Sequence, residues 1–134
     1  MTESGTAKIQ LDDALLTMLA HVGFEKSRDK LPAMLQRFPI NTIKLSLHPH
    51  GIEVRGLGPL KPVFLPTVDE TGQIAMKVQV NAFDVGFLGD TLKKLLNDQI
   101  DQVREMVVAQ GLNFHLSEVR THTNELLIAA KISQ

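Results

Sequence analysis

Five histidines are the side chains best suited to chemistry in this chain. Two of them, His48 and His50, stand on either side of Pro49 in the stretch LSLHPHGIEVRG. Alternate residues of a strand face the same way, so two imidazoles at this spacing can reach one ion. A zinc site needs at least a third ligand, and His115 and His122 are the side chains that could bring one from another hairpin. Pro49 bends the segment and Gly51 marks it as a turn, so the spacing predicts exposed turn histidines and no bound metal.

The other residue types capable of chemistry lack a working arrangement. A nucleophilic serine needs a base beside it and is often raised on a sharp Gly-x-Ser-x-Gly turn; Ser4, Ser27, Ser46, Ser117 and Ser133 have no such setting. The adjacent carboxylates Asp12-Asp13 and Asp69-Glu70 are explained by a helix start and a turn. The glycine-bearing stretches at 56–59 and 86–90 match neither the Walker pattern nor GxGxxG, and no lysine stands where a phosphate would need it. The sequence therefore predicts no catalytic residue, no cofactor and no enzyme.

Composition narrows the partners. The 134 residues suit one domain with a sizeable core. With no cysteine there is no disulfide framework or thiolate site. The net charge of -1 and scattered basic residues give no electrostatic footprint for nucleic acid. The absence of Trp and Tyr leaves base stacking and a membrane-interface belt poorly served. No apolar run approaches the ~20 residues that span a bilayer, and the polar N-terminus lacks the apolar region of a signal peptide. As given, the chain is expected to be soluble and cytoplasmic.

The elements that must position these residues follow from periodicity. Residues 1–10 read as a loose, disordered lead-in, and residues 11–134 as a single domain. Leu11, Leu15, Met18, Leu19 and Val22 have helical spacing, with Asp12 and Asp13 in the first turn and Gly23 as the stop. A second short helix follows, capped by Ser27 or Asp29, with Leu31, Met34, Leu35 and Phe38 as its buried face and Pro39 as its end.

From residue 41 the period becomes two. Ile43, Leu45 and Leu47 precede the turn at Pro49-His50-Gly51, and Ile52 and Val54 follow it. Val63 and Leu65 suggest a third strand that Pro62 and Pro66 make irregular or place at an edge. After a turn at 69–72, Ile74, Met76, Val78 and Val80 form the cleanest strand. Leu88, Leu92, Leu95, Leu96, Ile100, Val103 and Val107 then make the stripe of one long helix over residues 88–110, with Asp90 as candidate cap. A closing hairpin joins the strand from Leu112 to the strand through Leu126, Ile128, Ala130 and Ile132. The order ααββββαββ predicts an α+β domain in which an antiparallel sheet of about six strands packs against helices on one face.

In order and wording these strands resemble a known family. The stretch 43–56 resembles the "xVxVxxDGLxVxG" hairpin of bacterial LmeA-like phospholipid-binding proteins of the tubular lipid-binding (TULIP) type. Residues 71–78 resemble that family's "dGxLxVxP" strand and residues 88–109 its central helix. Residues 112–120 with 125–129 resemble its closing "GLxVxxVxxxxxGLxVxG" hairpin. The resemblance covers residues 41–132. It implies a strongly curved sheet wrapped on the long helix, an apolar interior that holds lipid tails, and no catalytic residues.

Pattern and resemblance together lead to the expectation of a non-enzymatic protein that binds a lipid or another long apolar small molecule between sheet and long helix. Leu45, Leu47, Ile52, Val54, Met76, Val78, Leu92, Leu96 and Val103 are expected to line that groove. The alternative is a structural, oligomerisation or protein-interaction module whose core is closed and holds no ligand. A homodimer fits either expectation, and a transient contact with a membrane surface fits the first.

Overall fold

The computed structural model describes residues 3–30, 36, 39–57, 61–80 and 86–134. Its elements are β1 (Ser4–Leu11), α1 (Asp13–Lys26), β2 (Lys44–His48), β3 (Gly51–Arg55), β4 (Val63–Val68), β5 (Ile74–Val80), α2 (Gly86–Ala109), β6 (Asn113–His122) and β7 (Glu125–Ser133). Short 3-10 turns occupy Arg28–Lys30 and Ile40–Thr42. The architecture is α+β and every strand pair is antiparallel. Among the described residues the strands form two sheets, of order β2-β3-β4-β5 and β1-β7-β6, where a single curved sheet was expected.

The expected loose lead-in carries most of β1. Ala7, Ile9 and Leu11 pair with Ala130, Ile128 and Leu126 of β7. Three spaced apolar residues among polar ones are a weak strand signal. What fixes the segment is its partner at the far end of the chain, which local pattern does not reveal.

Helix α1 starts two residues later than its apolar spacing suggests, because Leu11 belongs to β1 and Asp12 is the cap, its carboxylate accepting from Leu15 N at 2.8 Å. Gly23 does not end the helix, which runs on to Lys26. A Cβ at Gly23 would lie 3.0 Å from Leu95 Cδ1, so this glycine allows α1 to approach α2 closely. Of the expected second helix the structure shows the 3-10 turn at Arg28–Lys30. Its apolar residues Leu31, Met34, Leu35 and Phe38 lie outside the described residues. The expected long helix is α2, which begins at Gly86 and so places Asp90 a full turn inside.

The β2–β3 hairpin has the register its alternation implies, with Leu45 opposite Val54 and Leu47 opposite Ile52. Gly51 has φ 139°, and a Cβ there would lie 2.6 Å from the Phe64 carbonyl, so the turn and the neighbouring strand both require glycine. Strand β4 sits inside its sheet, between β3 and β5, and not at the edge that its prolines suggested. The prolines still leave their mark. Pairing with β3 covers only Val63 and Phe64, the register against β5 slips between the same two residues, and Pro66 lies where β4 has already lost its neighbour on the β3 side.

Helix side chains bond both edges of the four-stranded sheet, β2 along its length and β5 at Ile74. On α1, Thr17 Oγ1 accepts from Leu45 N at 3.0 Å, Asp13 Oδ1 accepts from Leu47 N at 2.9 Å, and His21 Nε2 bonds the Ile43 carbonyl at 2.6 Å. On α2, Asn97 accepts from Ile74 N at 2.8 Å and donates to Ile74 O at 2.9 Å, acting as a one-residue strand against β5. Open strand edges invite pairing with other chains, and polar helix side chains remove that opportunity along β2 and at the start of β5. The same bonds fix the rotation of each helix about its own axis.

Candidate functional site

Six of the nine residues expected to line a groove come together as core. Leu45 and Leu47 on β2, Ile52 and Val54 on β3, and Leu92 and Leu96 on α2 are each at most 2% exposed and belong to one cluster with Leu16, Phe24, Phe64 and Ile74. Met76 packs against its margin and Val103 is half-buried further along α2. Val78 is 39% exposed. Where α2 crosses the sheet the fit is tight: a Cβ at Gly89 would lie 3.0 Å from Phe64 Cε1, so the ring abuts the helix backbone.

Three of the five histidines, His21, His48 and His50, make structural contacts. His48 and His50 stack on each other, rings 5.1 Å apart and 7° from parallel, and His48 Nε2 lies 3.0 Å from Ser46 Oγ. Both rings flank the turn, as their spacing predicts. His21 is committed to the Ile43 carbonyl, a bond that requires its Nε2 to carry the proton. His115 and His122 are exposed on β6. Among the described residues no group of three or more His, Cys, Asp or Glu side chains is placed to hold a metal.

Ser46, His48 and Glu53 share the outer face of the β2–β3 hairpin, with Glu53 directly opposite Ser46. Glu53 is bound by Arg55 Nε, and that hydrogen bond holds its carboxyl below the usual range. Ser46 lies mid-strand, with no sharp turn to raise it. The arrangement gives a polar outer face with an internal ion pair.

The apolar surface left outside the core lies on the outer face of α1. Leu16, Ala20 and Phe24 point into the core at 1% exposure or less, while Leu15, Met18 and Val22 are 39%, 58% and 54% exposed. Thus α1 is apolar on two opposite faces, of which its own core covers one. The bonds of Asp13, Thr17 and His21 to β2 prevent it from turning its second stripe inward. The stripe at 15, 18, 19 and 22 is the one that spacing identified as the helix face, and the structure turns most of it to solvent. The spacing 16, 20, 24 is the signal of the buried face, and it reaches past Gly23, where the sequence predicts a stop.

One hollow lies beside this surface and another lies away from it, between β4 and β6. A small cleft of about 130 Å³ between α1 and α2 has Leu19, Val22 and Leu95 among its lining residues, with Lys26, Lys94 and Asp98. A wider groove of about 480 Å³ lies where β6 passes the half of β4 that β3 does not cover, with Leu65, Val68 and Val119 among its lining residues. Among the described residues no helix is long and apolar enough to cross a membrane. Comparison of the chain with protein-family models, with curated proteins and with solved structures finds no match.

Proposed function

We propose that this chain is a non-enzymatic interaction module that works through the outer face of α1. The observation that carries this reading is the second apolar stripe, Leu15, Met18 and Val22, exposed beside a core that Leu16, Ala20 and Phe24 already help to close. Surface apolar residues scattered singly need no explanation, but three along one helix face, the last of which lines the cleft beside α2, suit a protein partner. The filled contact between α2 and Phe64 supports a closed interior over a ligand-holding one.

A second reading retains the resemblance to LmeA-like lipid-binding proteins and is favoured by the groove between β4 and β6, whose apolar residues could seat part of an acyl chain. One experiment separates the two. Native mass spectrometry of gently purified protein, paired with uptake of a fluorescent fatty acid, is expected to show no retained lipid and no saturable uptake. Bis-ANS binding is expected to occur and to be lost in the Met18→Lys/Val22→Lys variant at an unchanged urea midpoint. Stoichiometric lipid, abolished by Leu65→Glu, would overturn the interaction reading in favour of the second.

A further inference from the structure

We infer that the partner of α1 is a second copy of this chain, docked so that two α1 helices lie antiparallel across a two-fold axis. This inference rests on the reading of α1 as an interaction surface and specifies the occupant. A two-fold interface uses the same patch on both subunits, so the patch must be complementary to itself. The α1 stripe meets that condition. With Met18 and Leu19 at the axis, antiparallel packing sets Leu15 of each copy against Val22 of the other, closing one continuous apolar seam.

The charges at the ends of the stripe agree with the same register. Lys26 lies by helical spacing on the face of Leu15, Leu19 and Val22, and Asp12, the N-cap whose carboxylate accepts from Leu15 N, stands at the opposite end of the stripe. Among the described residues neither is in an ion pair, whereas the neighbouring Glu25 is held by Arg28. An antiparallel copy brings Lys26 of one chain to Asp12 of the other at both ends of the seam. A parallel copy would instead bring like charges together at both ends, and a flat anionic membrane would meet Asp12 as readily as Lys26.

Size sets the strength. Fourteen residues of helix make a contact about 21 Å long and about 10 Å across, smaller than the ~800 Å² per partner of a standard interface. The dimer is therefore weak and reversible, forming as concentration rises.

Sedimentation velocity over a series from low micromolar to near millimolar is expected to show the average mass climbing from 14.8 kDa towards twice that value. Met18→Lys is expected to abolish the rise and Lys26→Glu to weaken association several-fold, both with unchanged circular dichroism. The chain has no cysteine, so a mixture of Leu15→Cys and Val22→Cys chains tests the register. Disulfides between 15 and 22 should form in preference to 15–15 and 22–22. A wild-type mass that stays at the monomer, dimerisation indifferent to Met18→Lys, or preferred 15–15 and 22–22 bonds would each overturn the inference. Monomeric protein carrying stoichiometric lipid would overturn the underlying reading as well, whereas monomeric protein whose bis-ANS binding still depends on Met18 and Val22 would overturn the second-copy assignment alone.

Discussion

The two helices solve the same packing problem with different sequences. Helix α2 buries one stripe, Leu88, Leu92, Leu96 and Ile100, and turns Lys93, Lys94, Asp98 and Glu105 to solvent, with Met106 and Val108 exposed in its last turns. Helix α1 buries Leu16, Ala20 and Phe24 and also exposes Leu15, Met18 and Val22 along its middle. Each helix closes a sheet edge with polar side chains, so each is held at a fixed rotation. An amphipathic helix is complete once docked on its own sheet, whereas α1 retains unused apolar surface after docking, and that surplus is where a function can reside.

The comparison can be broken most forcefully from within α2. Leu96→Ala removes a fully buried side chain that neighbours cannot easily replace and is expected to cost about 2–5 kcal/mol in urea unfolding. Met18→Ala on the exposed stripe should stay within about 0.5 kcal/mol when measured at concentrations where the chain is monomeric. A comparable loss at both positions would mean that α1's outer stripe is core after all.

The edge bonds come next in size. Asn97→Ala strips both partners from the Ile74 backbone and is expected to cost about 1–3 kcal/mol, with faster hydrogen exchange at Ile74 N. Thr17→Val is the corresponding test on α1, where Leu45 N loses its acceptor. Its cost should lie near the lower end of the same ~1–3 kcal/mol range, because one hydroxyl is removed where Asn97 supplies a two-bond pair.

Much of this architecture was legible and some was not, for identifiable reasons. Strands β2, β3 and β5 were readable because one dry face imposes strict alternation, and α2 because its stripe persists over six turns. Strand β1 was hidden because its stability comes from β7, a partner that no local pattern announces. The central position of β4 was hidden because prolines usually mark an edge; a bulge and a shortened pairing with β3 accommodate them here. For the candidate site, spacing identified apolar positions correctly but could not say which face lies inside. That choice is made by Asp13, Thr17 and His21, polar residues whose partners are backbone groups of a distant strand.

The smallest expected effect is electrostatic and lies away from both helices. Asp69 holds the β4–β5 turn, accepting from the Thr71 hydroxyl and from the Thr71 and Gln73 amides, and the Thr71 hydroxyl bond chiefly lowers its carboxyl below the usual value. A depressed acid contributes stability above its unfolded value, near about 3.9, and loses it as pH falls through the lower folded value. Asp69→Asn should therefore lower stability slightly at neutral pH and converge with the wild type at low pH, so that the acid limb of a stability-versus-pH curve is flatter. A variant curve that parallels the wild type throughout that limb would show the turn to be indifferent to the charge.

The most direct test of the central claim is a dilution series of backbone amide NMR spectra on the intact chain. Concentration-dependent shifts are predicted to gather on residues 12–27 and on the α2 residues facing the α1 cleft, Thr91, Lys94, Leu95 and Asp98, while β4 and β6 stay still. Shifts gathered instead along Leu65, Val68 and Val119, or spectra that do not change with concentration at all, would contradict the assignment of α1's outer face as a self-association surface.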